Sequence, residues 1–411
     1  MATGDHVFRG ALVRLGLAEM VCWGALYYSF PVVQVAMQQD GGWDASTLAG
    51  AFSLALLVYA LAGPFLGPWF DRRGPWAAMV VGATAGAALL GLWSQAASPS
   101  HLYLLMGGLG LAMAACLYEP AFYLVAQWLP KRRAFGLSVL TFFGALASPI
   151  FLPMTGALCG TWGWRTALLI QMGVVLIIGV PLLASLPRRR VAISPVQAHG
   201  DQRARRVFHE ARFWWWQAGF ILVSVTAIAI PLHLVAYLVE RGLDLTAAAT
   251  LTGGLAAVGI IGRLVFGFIG DGRWLMPLTM TVFSLMSVAV VLLLFIPGLP
   301  GALIFVGCFG LGYGALWPTR AALVAQAWAG PTLATIAGWF ACGPNVAKAA
   351  APLIGAVLAR QWGMDAGFAY LAGLPLIGAG LIYLGQRQAP VAVSYPPTAT
   401  AAVIAVDLPG N

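Results

Sequence analysis

Long apolar stretches separated by short polar segments run through most of the chain. A helix needs about 20 apolar residues to cross the hydrocarbon core of a bilayer. Twelve stretches reach that length, and the pattern predicts a transmembrane helix over each of them. The predicted helices are 10–37, 46–70, 76–96, 101–128, 134–158, 164–186, 213–239, 247–270, 275–296, 301–327, 332–358 and 365–386. The pattern therefore predicts an all-α membrane protein.

Basic residues fall almost entirely on one side of the predicted helices. Of the 22 lysines and arginines, sixteen lie on the side that holds both termini, three on the other side and three inside helices. Loops that stay in the cytoplasm are enriched in Lys and Arg. We therefore expect a multi-pass protein of the cell (inner) membrane with both termini in the cytoplasm.

Composition agrees with a chain that lives in lipid. Hydrophobic residues make up 61% and charged residues 9% of the sequence, whereas a soluble domain has about 25% charged residues. The net charge of +9 follows from the one-sided loops and suits anionic lipid headgroups. We expect membrane lipid and no nucleic acid as partners.

The five cysteines form no C-x-x-C pair, so we interpret them as small apolar residues.

The longest polar stretch divides the predicted helices six and six. It covers 187–212 and carries seven arginines. We therefore expect an N-terminal six-helix bundle over 1–186, a basic cytoplasmic connector over 187–212 and a C-terminal six-helix bundle over 213–387. The tail, 388–411, is rich in Pro, Ala and Val and is predicted to be disordered.

The two halves repeat one another with a period near 200. The segment GPWFDRRG at 67–74 matches GFIGDGRW at 267–274 and aligns Asp71 with Asp271. The segments at 124–128 and 153–164 have counterparts at 323–328 and 352–363. A parallel repeat of two six-helix bundles implies a pseudo-twofold axis along the membrane normal, with a site between the bundles near the midplane.

Two six-helix halves with this loop after the second helix and its echo after the eighth resemble the major facilitator superfamily. The family loop reads G-x-x-x-D-R/K-x-G-x-R/K-R/K, and the matching positions are Gly67, Asp71, Arg72 and Gly74. The resemblance implies that these residues, with Gly267 and Asp271, form a cytoplasmic gate. We expect Asp71 to pair with Arg132 or Arg133 and with a helix N-terminus.

Six ionisable side chains fall inside predicted helices, where a charge is costly unless it has a partner or a function. They are Glu19, Glu119, His233, Arg263, Arg320 and Lys348. The resemblance implies that helices one, four, seven and ten line a central cavity, so that the first three and Arg320 face it. The repeat places Glu119 opposite 318–319, and we expect Glu119 and Arg320 to face each other or a shared ligand. A purely structural Glu–Arg pair, an interfacial His233 and a Glu19 at the cavity mouth stay open as alternatives.

This set of charges favours an anionic substrate. Three cations stand against two carboxylates and one histidine, and an arginine fork is well suited to hold a carboxylate. The candidate substrate-binding residues are Arg263, Arg320, Lys348 and Tyr118. The candidate proton-coupling residues are Glu119, Glu19 and His233.

Two segments resemble the monocarboxylate and oxalate:formate branch of the superfamily, namely GRLVFGFIGD at 262–271 and YEPAFYLVAQWLPKRRAFGLSV at 118–139. In that branch an arginine of helix eight binds the substrate carboxylate, and Arg263 falls on that position. The branch's lysine after the Phe-Pro of helix one is Val32 here, and its acidic residue one turn before the arginine is Gly259. The resemblance implies a secondary carrier of small organic anions, with Glu119 as the best candidate for proton coupling.

Other functions stay open at this point. One is export of drugs, or of trivalent metalloids through Cys116, Cys308 or Cys342. Others are transport of a sugar or an amphipathic compound, and a membrane sensor or enzyme that keeps the fold. The sequence has no nucleotide loop, metal-spaced His/Asp cluster or nucleophile elbow, so we predict no catalytic residue, metal ligand or cofactor. We expect a monomer.

Overall fold

A computed structural model describes residues 2–187, 200–243 and 245–388, and helices make up nearly all of this part of the chain. The α-helices are α1 (Ala2–Cys22), α2 (Phe30–Gln39), α3 (Ala45–Arg73), α4 (Trp76–Trp93), α5 (Pro99–Cys116), α6 (Tyr118–Trp128), α7 (Arg133–Val174), α8 (Val180–Ala184), α9 (Gly200–His209), α10 (Ala211–Glu240), α11 (Leu245–Ile269), α12 (Leu275–Phe295), α13 (Gly298–Ala327) and α14 (Leu333–Arg387). π-helical turns cover Trp23–Tyr28 and Val175–Gly179, and a 3-10 turn covers Gly272–Trp274.

Ten helical stretches of the described residues are long and apolar enough to cross a membrane. One of them, Arg133–Ala184, has 52 residues, and α14 has 55. At 1.5 Å per residue a straight helix of 52 residues would be about 78 Å long, more than twice the thickness of the hydrocarbon core.

Both long helices contain a kink at a glycine, and the two glycines are 200 positions apart. Gly163 in α7 has φ 77° and ψ 162°, and Gly363 in α14 has φ 82° and ψ 166°. A side chain disfavours such positive φ values, so glycine suits both positions. The sequence predicted helix ends at these places, between 158 and 164 and between 358 and 365. The kinks therefore follow the repeat seen in the sequence.

The predicted helix 101–128 is not continuous, because it breaks between α5 and α6. The break lies at Leu117, whose φ of −89° and ψ of −152° are extended. Pro120 explains it, since a proline has no N–H to donate to the carbonyl four residues earlier and its ring clashes with that carbonyl. That carbonyl belongs to Cys116, the last residue of α5. α6 therefore begins at Tyr118, and Glu119 lies in its first turn.

The first predicted helix is also irregular, because a π-helical turn separates α1 from α2. A π turn is wider than an α turn and is frequent at functional sites. Gly24 lies within it, and an added Cβ there would approach a ring carbon of Phe151 to 2.2 Å. The turn brings Trp23, Tyr27 and Tyr28 to one side of the helix.

The two halves of the chain pack closely against each other along α3 and α14. A Cβ added to Gly63 would lie 2.9 Å from the carbonyl oxygen of Gly338, and one added to Gly67 would lie 2.5 Å from that of Ala334. The equivalent contact joins α11 to α7, where a Cβ on Gly267 would lie 2.8 Å from the side chain of Ser138. Small residues allow helix backbones to approach in this way.

The connector is helical where the structure describes it. α9 covers Gly200–His209, with Val207 buried and Phe208 packed edge-on against Trp339 at 5.6 Å between ring centroids. Residues 188–199 of the predicted connector and 389–411 of the predicted tail lie outside the described residues.

Candidate functional site

A cavity of about 180 Å³ lies between the two halves of the chain. Both irregular segments, the π turn and the start of α6, contribute side chains to it, together with α3, α7, α10, α11, α13 and α14. Its lining residues are Trp23, Tyr27, Tyr28, Leu56, Tyr59, Tyr118, Glu119, Phe122, Thr141, Gly144, Ala145, Ile228, Arg263, Tyr313, Trp317, Arg320, Asn345, Lys348 and Ala349. Four of the ionisable residues singled out in the sequence are thus brought together.

Glu119 and Arg320 meet across this cavity, as the repeat predicts. Arg320 Nη2 donates to Glu119 Oε1 at 2.5 Å, and the two side chains are 5% and 15% exposed. Glu119 lies in the first turn of α6, where the helix dipole also favours a negative charge. Arg320 Nη1 has no hydrogen-bond partner among the described residues. The pair therefore leaves one edge of the guanidinium, at Nη1, without an acceptor among the described residues.

Lys348 is held by neutral groups. Its Nζ donates to Asn345 Oδ1 at 2.9 Å and lies 3.7 Å from the centroid of the Trp317 ring. A ring face attracts a cation without neutralising it. The charge of Lys348 therefore remains available to a ligand in the cavity.

Arg263 is the least compensated cation of the site. It is 8% exposed, its Nε lacks a hydrogen-bond partner, and no ion pair to it occurs within the described part of the chain. Tyr28, Tyr118 and Tyr313 lie close enough to interact with its charge. A buried cation surrounded by neutral groups is costly unless a ligand neutralises it.

The cavity has a surplus of positive charge. Arg263, Arg320 and Lys348 line it against a single carboxylate, Glu119, so three positive charges and one negative charge give a formal sum of +2. The sequence predicted a smaller surplus because it also placed Glu19 in the cavity. The electrostatics favour an anion.

Glu19 and His233, both expected to face the cavity, are not among its lining residues. Glu19 is 0% exposed and packs beside the thiols of Cys22 and Cys116. His233 packs between α10 and α14, with Nε2 3.3 Å from the carbonyl oxygen of Pro352. The helix position of a residue does not fix its direction where the helix widens, as at the π turn that follows Glu19.

Sequence reasoning missed most of the aromatic lining. Eight of the nineteen lining residues are aromatic, although aromatic residues make up 12% of the chain. The segment WGALYY at 23–28 carried a signal, because three of its six residues are Trp or Tyr. Of these aromatic residues, Tyr118 alone is a candidate from the sequence, because the charged residues carry the stronger signal.

The predicted gate residues lie at the end of the molecule that carries Arg72, Arg132 and Arg273, which we call the basic end. Asp71 accepts hydrogen bonds from Ala334 N at 2.9 Å, Thr335 N at 2.7 Å and Thr335 Oγ1 at 2.6 Å. It therefore binds the N-terminus of α14, as expected of an acceptor at a helix N-terminus. Gly74, with φ 75°, follows the last residue of α3, three positions after this aspartate, and Arg72 is exposed.

The expected ion pair of Asp71 with Arg132 or Arg133 is not formed. Arg133 Nη1 donates instead to the carbonyl oxygen of Ala325 at 2.9 Å, and its charge interacts with Asp271. Asp271 Oδ1 in turn accepts from Ala134 N at 3.0 Å, at the N-terminus of α7. Each aspartate of the repeat thus binds a helix N-terminus in the opposite half.

Comparison with known proteins identifies this architecture. The sequence matches the model of the Major Facilitator Superfamily over residues 15–309. The chain belongs to the Major Facilitator Superfamily. The resemblance found in the sequence is therefore confirmed.

Relatives within the superfamily differ in what their names say they carry. The chain is 26% identical to monocarboxylate transporter 12 of Rattus norvegicus over 287 residues, which cover 62% of this chain and 59% of the rat protein. It is 28% identical to an MFS-type efflux pump of Mycolicibacterium smegmatis over 245 residues, 55% of each chain. The chain therefore spans less than two thirds of the length of either relative.

The fold is similar to that of the fucose:proton symporter FucP of E. coli. The two chains superpose with a TM-score of 0.73 at 13% identity, over 92% of this chain and 98% of FucP. At this identity the comparison shows a major facilitator fold. A shared fold does not identify the ligand, which must be inferred from the residues of the cavity.

One departure from the monocarboxylate branch lies beside Arg263. Gly259, where that branch has an acidic residue, packs directly against α13, because a Cβ on Gly314 would lie 1.9 Å from the Gly259 carbonyl oxygen. A Cβ on Gly259 itself would lie 3.4 Å from Arg263 Nη1. The glycine leaves room for the guanidinium and supplies no negative charge to it.

Proposed function

We propose that this chain is a secondary active transporter of small organic anions, with monocarboxylates as the substrate class. The observation that carries the proposal is Arg263, a buried guanidinium without an ion-pair partner among the described residues, in a cavity with a formal charge of +2. A carboxylate is the planar acceptor that best fits such a fork. The relationship to a monocarboxylate transporter agrees with this assignment.

The size of the cavity also supports a small substrate. Drug-sized ligands occupy pockets of roughly 300–1,000 Å³, and this cavity has about 180 Å³. Export of larger drugs finds less support in this volume, although the mycobacterial relative is named an efflux pump. Export of trivalent metalloids finds less support too, because Cys116, Cys308 and Cys342 are not among the lining residues.

The transporter would have twelve spans in two six-helix bundles related by a pseudo-twofold axis. The kinks at Gly163 and Gly363 support this arrangement, since each divides a helix too long for one span. The excess of Lys and Arg at the basic end supports a cytoplasmic location for that end and for both termini in the cell membrane. We expect the transporter to act as a monomer.

Alternating access would proceed by release of the basic end. The bonds of Asp71 and Asp271 to helix N-termini join the two halves there, so the cytoplasmic side would be closed in this conformation. An anion held by Arg263, Arg320 and Lys348 binds the second half, and additional contacts with the first half would favour closure of the two halves around it. Breaking the two aspartate contacts would then open the cavity to the cytoplasm.

Glu119 would couple the transport of the anion to a proton. A substrate that binds the free edge of Arg320 brings a negative charge toward Glu119 and competes for its partner. Both effects favour protonation of the carboxylate. A proton and a monoanion would then cross the membrane together as a neutral load.

Exchange and pH-driven uptake in proteoliposomes test this function. Wild-type protein should exchange at least one of labelled propionate, lactate and benzoate in counterflow, and should accumulate it when the outside is acidic. Glu119→Gln, which mimics a protonated carboxyl group, should retain exchange and lose accumulation. Absence of exchange for all three acids by folded wild-type protein would contradict the carrier function, whereas accumulation by Glu119→Gln would contradict only the coupling role.

A further inference from the structure

We propose that the anion carried by this site bears an aromatic ring, which packs against the first half of the chain while its carboxylate binds the second half. This inference rests on the proposed function and specifies its substrate class. It is carried by a continuous set of ring contacts, here called the aromatic wall, formed by Tyr27, Trp23, Tyr118 and Phe122.

The aromatic wall is one connected surface. Tyr27 and Trp23 have ring centroids 5.2 Å apart, Trp23 and Tyr118 4.7 Å, and Tyr118 and Phe122 5.0 Å with an interplanar angle of 16°. All four residues line the cavity. Such contacts fix the ring orientations in advance, so a flat ligand meets a preformed surface.

The position of the wall is set by the two irregular segments of the first half. Trp23 and Tyr27 lie in the π turn, and Tyr118 begins α6 directly after the break at Leu117. Gly144 leaves room for the Tyr118 side chain, since a Cβ there would lie 2.0 Å from the Tyr118 hydroxyl oxygen. Two departures from regular helix therefore bring large rings to the same cavity.

The cationic groups lie in the second half. Arg263, Arg320 and Lys348 come from α11, α13 and α14, and Tyr28 and Tyr118 lie near Arg263. A ligand that satisfies both halves needs a charged head and an apolar, flat body. A two- or three-carbon acid could bind the cations but would leave the aromatic wall in contact with water.

The volume of the cavity suits a single ring with one carboxylate. An apolar cavity of about 150 Å³ is sufficient to bind benzene, and this cavity has about 180 Å³. A compound of two fused rings with a long side chain would exceed that space. The size and the lining therefore agree on a monocyclic aromatic carboxylate.

Ligand-induced thermal stabilisation and calorimetric affinity of the full-length protein in detergent test the inference. We expect benzoate or phenylacetate to bind at least about tenfold more tightly than propionate because the ring buries additional apolar surface. Benzoate should also bind at least about threefold more tightly than cyclohexanecarboxylate, which has similar bulk and no π face. The neutral analogue benzamide should bind weakly, because it cannot neutralise the cations.

Substitutions in the aromatic wall test the same inference by changing the protein instead of the ligand. Tyr27→Leu should lower benzoate affinity about fivefold or more and leave propionate affinity within about twofold. Tyr27→Phe keeps the ring and should retain the preference for benzoate. Tyr370→Leu changes an exposed tyrosine outside the cavity lining and should leave both affinities unchanged. The ligand series on wild-type protein decides the matter even if Tyr27→Leu does not fold.

Different results would contradict the aromatic specificity and the anion-carrier function. Propionate or cyclohexanecarboxylate binding as tightly as benzoate would overturn the aromatic specificity and leave the anion carrier intact. Failure of every carboxylate to bind, with benzamide binding instead, would overturn both the specificity and the proposed function.

Discussion

The first half of the chain, up to Ala184, and the second half, from Ala211, are built alike but contribute different chemistry to the cavity. Each half has a helix kinked at an equivalent glycine, Gly163 or Gly363, and each sends an aspartate to a helix N-terminus of the other. The first half lines the cavity mainly with aromatic rings, and the second half supplies all three cations. The kinks and aspartate contacts, which both halves share, belong to the scaffold. The aromatic rings and the cations, in which the halves differ, form the candidate site.

At the end of the molecule opposite the gate, each half contains an ion pair, and these two pairs are also alike in position and different in residues. In the first half Arg165 Nη1 lies 3.0 Å from Asp40 Oδ2, and in the second half Arg241 pairs with Asp365. The positions correspond but the signs are exchanged between them. The pKa of Asp40 is held below its usual range by hydrogen bonds from Trp164 and Arg165. A repeat can thus keep a contact while the residues that make it are interchanged.

Among the described residues, Glu119 and Arg320 form the one ion pair that joins the two halves in the cavity. The loss of this pair should have a different effect from the loss of Arg263. Arg320→Ala leaves the Glu119 carboxylate buried without its partner, so we expect a loss of stability on the order of 3–5 kcal/mol. Arg263→Ala removes a cation that has no counter-ion among the described residues, and we expect unchanged or increased stability. Thermal melting of purified protein in detergent measures both.

A double-mutant cycle supplies the control for this contrast. Glu119→Gln combined with Arg320→Ala should recover most of the stability that Arg320→Ala loses, because no buried charge is then left unpaired. Arg273→Ala, at an exposed position of the basic end, should have little effect on melting. Equal destabilisation by Arg320→Ala and Arg263→Ala would mean that the cavity does not distinguish a paired cation from an uncompensated one.

The two gate aspartates should differ in a smaller, conformational effect. Asp71 accepts three hydrogen bonds from Ala334 and Thr335, whereas Asp271 accepts one described bond, from Ala134. Asp71→Asn should therefore shift the population toward the inward-open state more than Asp271→Asn does. Labelling of single cysteines introduced into the cavity, from each side of the membrane, measures the shift. Identical labelling of both variants and the parent would show that the loops are ordinary turns here.

Much of the scaffold could be predicted from the sequence because hydrophobic length and the 200-residue repeat are strong signals. The predicted helix ends near 158–164 and 358–365 coincide with the kinks, and the repeat correctly brought Glu119 toward Arg320. The break at Leu117 was also readable, since Pro120 removes a helical hydrogen bond. It was missed because apolar length alone favoured one continuous helix.

The parts that could not be predicted depend on side-chain direction. Glu19 lies on a helix expected to line the cavity, yet it is fully buried near Cys22 and Cys116 and is not a lining residue. The π turn four residues later changes which residues share a face, and no periodic pattern announces such a turn. Asp71 binds a helix N-terminus as expected, but the sequence could not show that α14 supplies it, because backbone N–H groups carry no signature in a sequence.

The affinity of Arg263→Lys for a monocarboxylate tests the central claim, that an uncompensated guanidinium in the cavity binds the anion. Lysine keeps the charge and loses the planar fork, so we expect benzoate affinity to fall at least about tenfold by calorimetry, with melting temperature in the absence of ligand unchanged. Arg273→Lys, the same exchange at an exposed site, should retain wild-type affinity. Wild-type benzoate affinity in folded Arg263→Lys would contradict the claim.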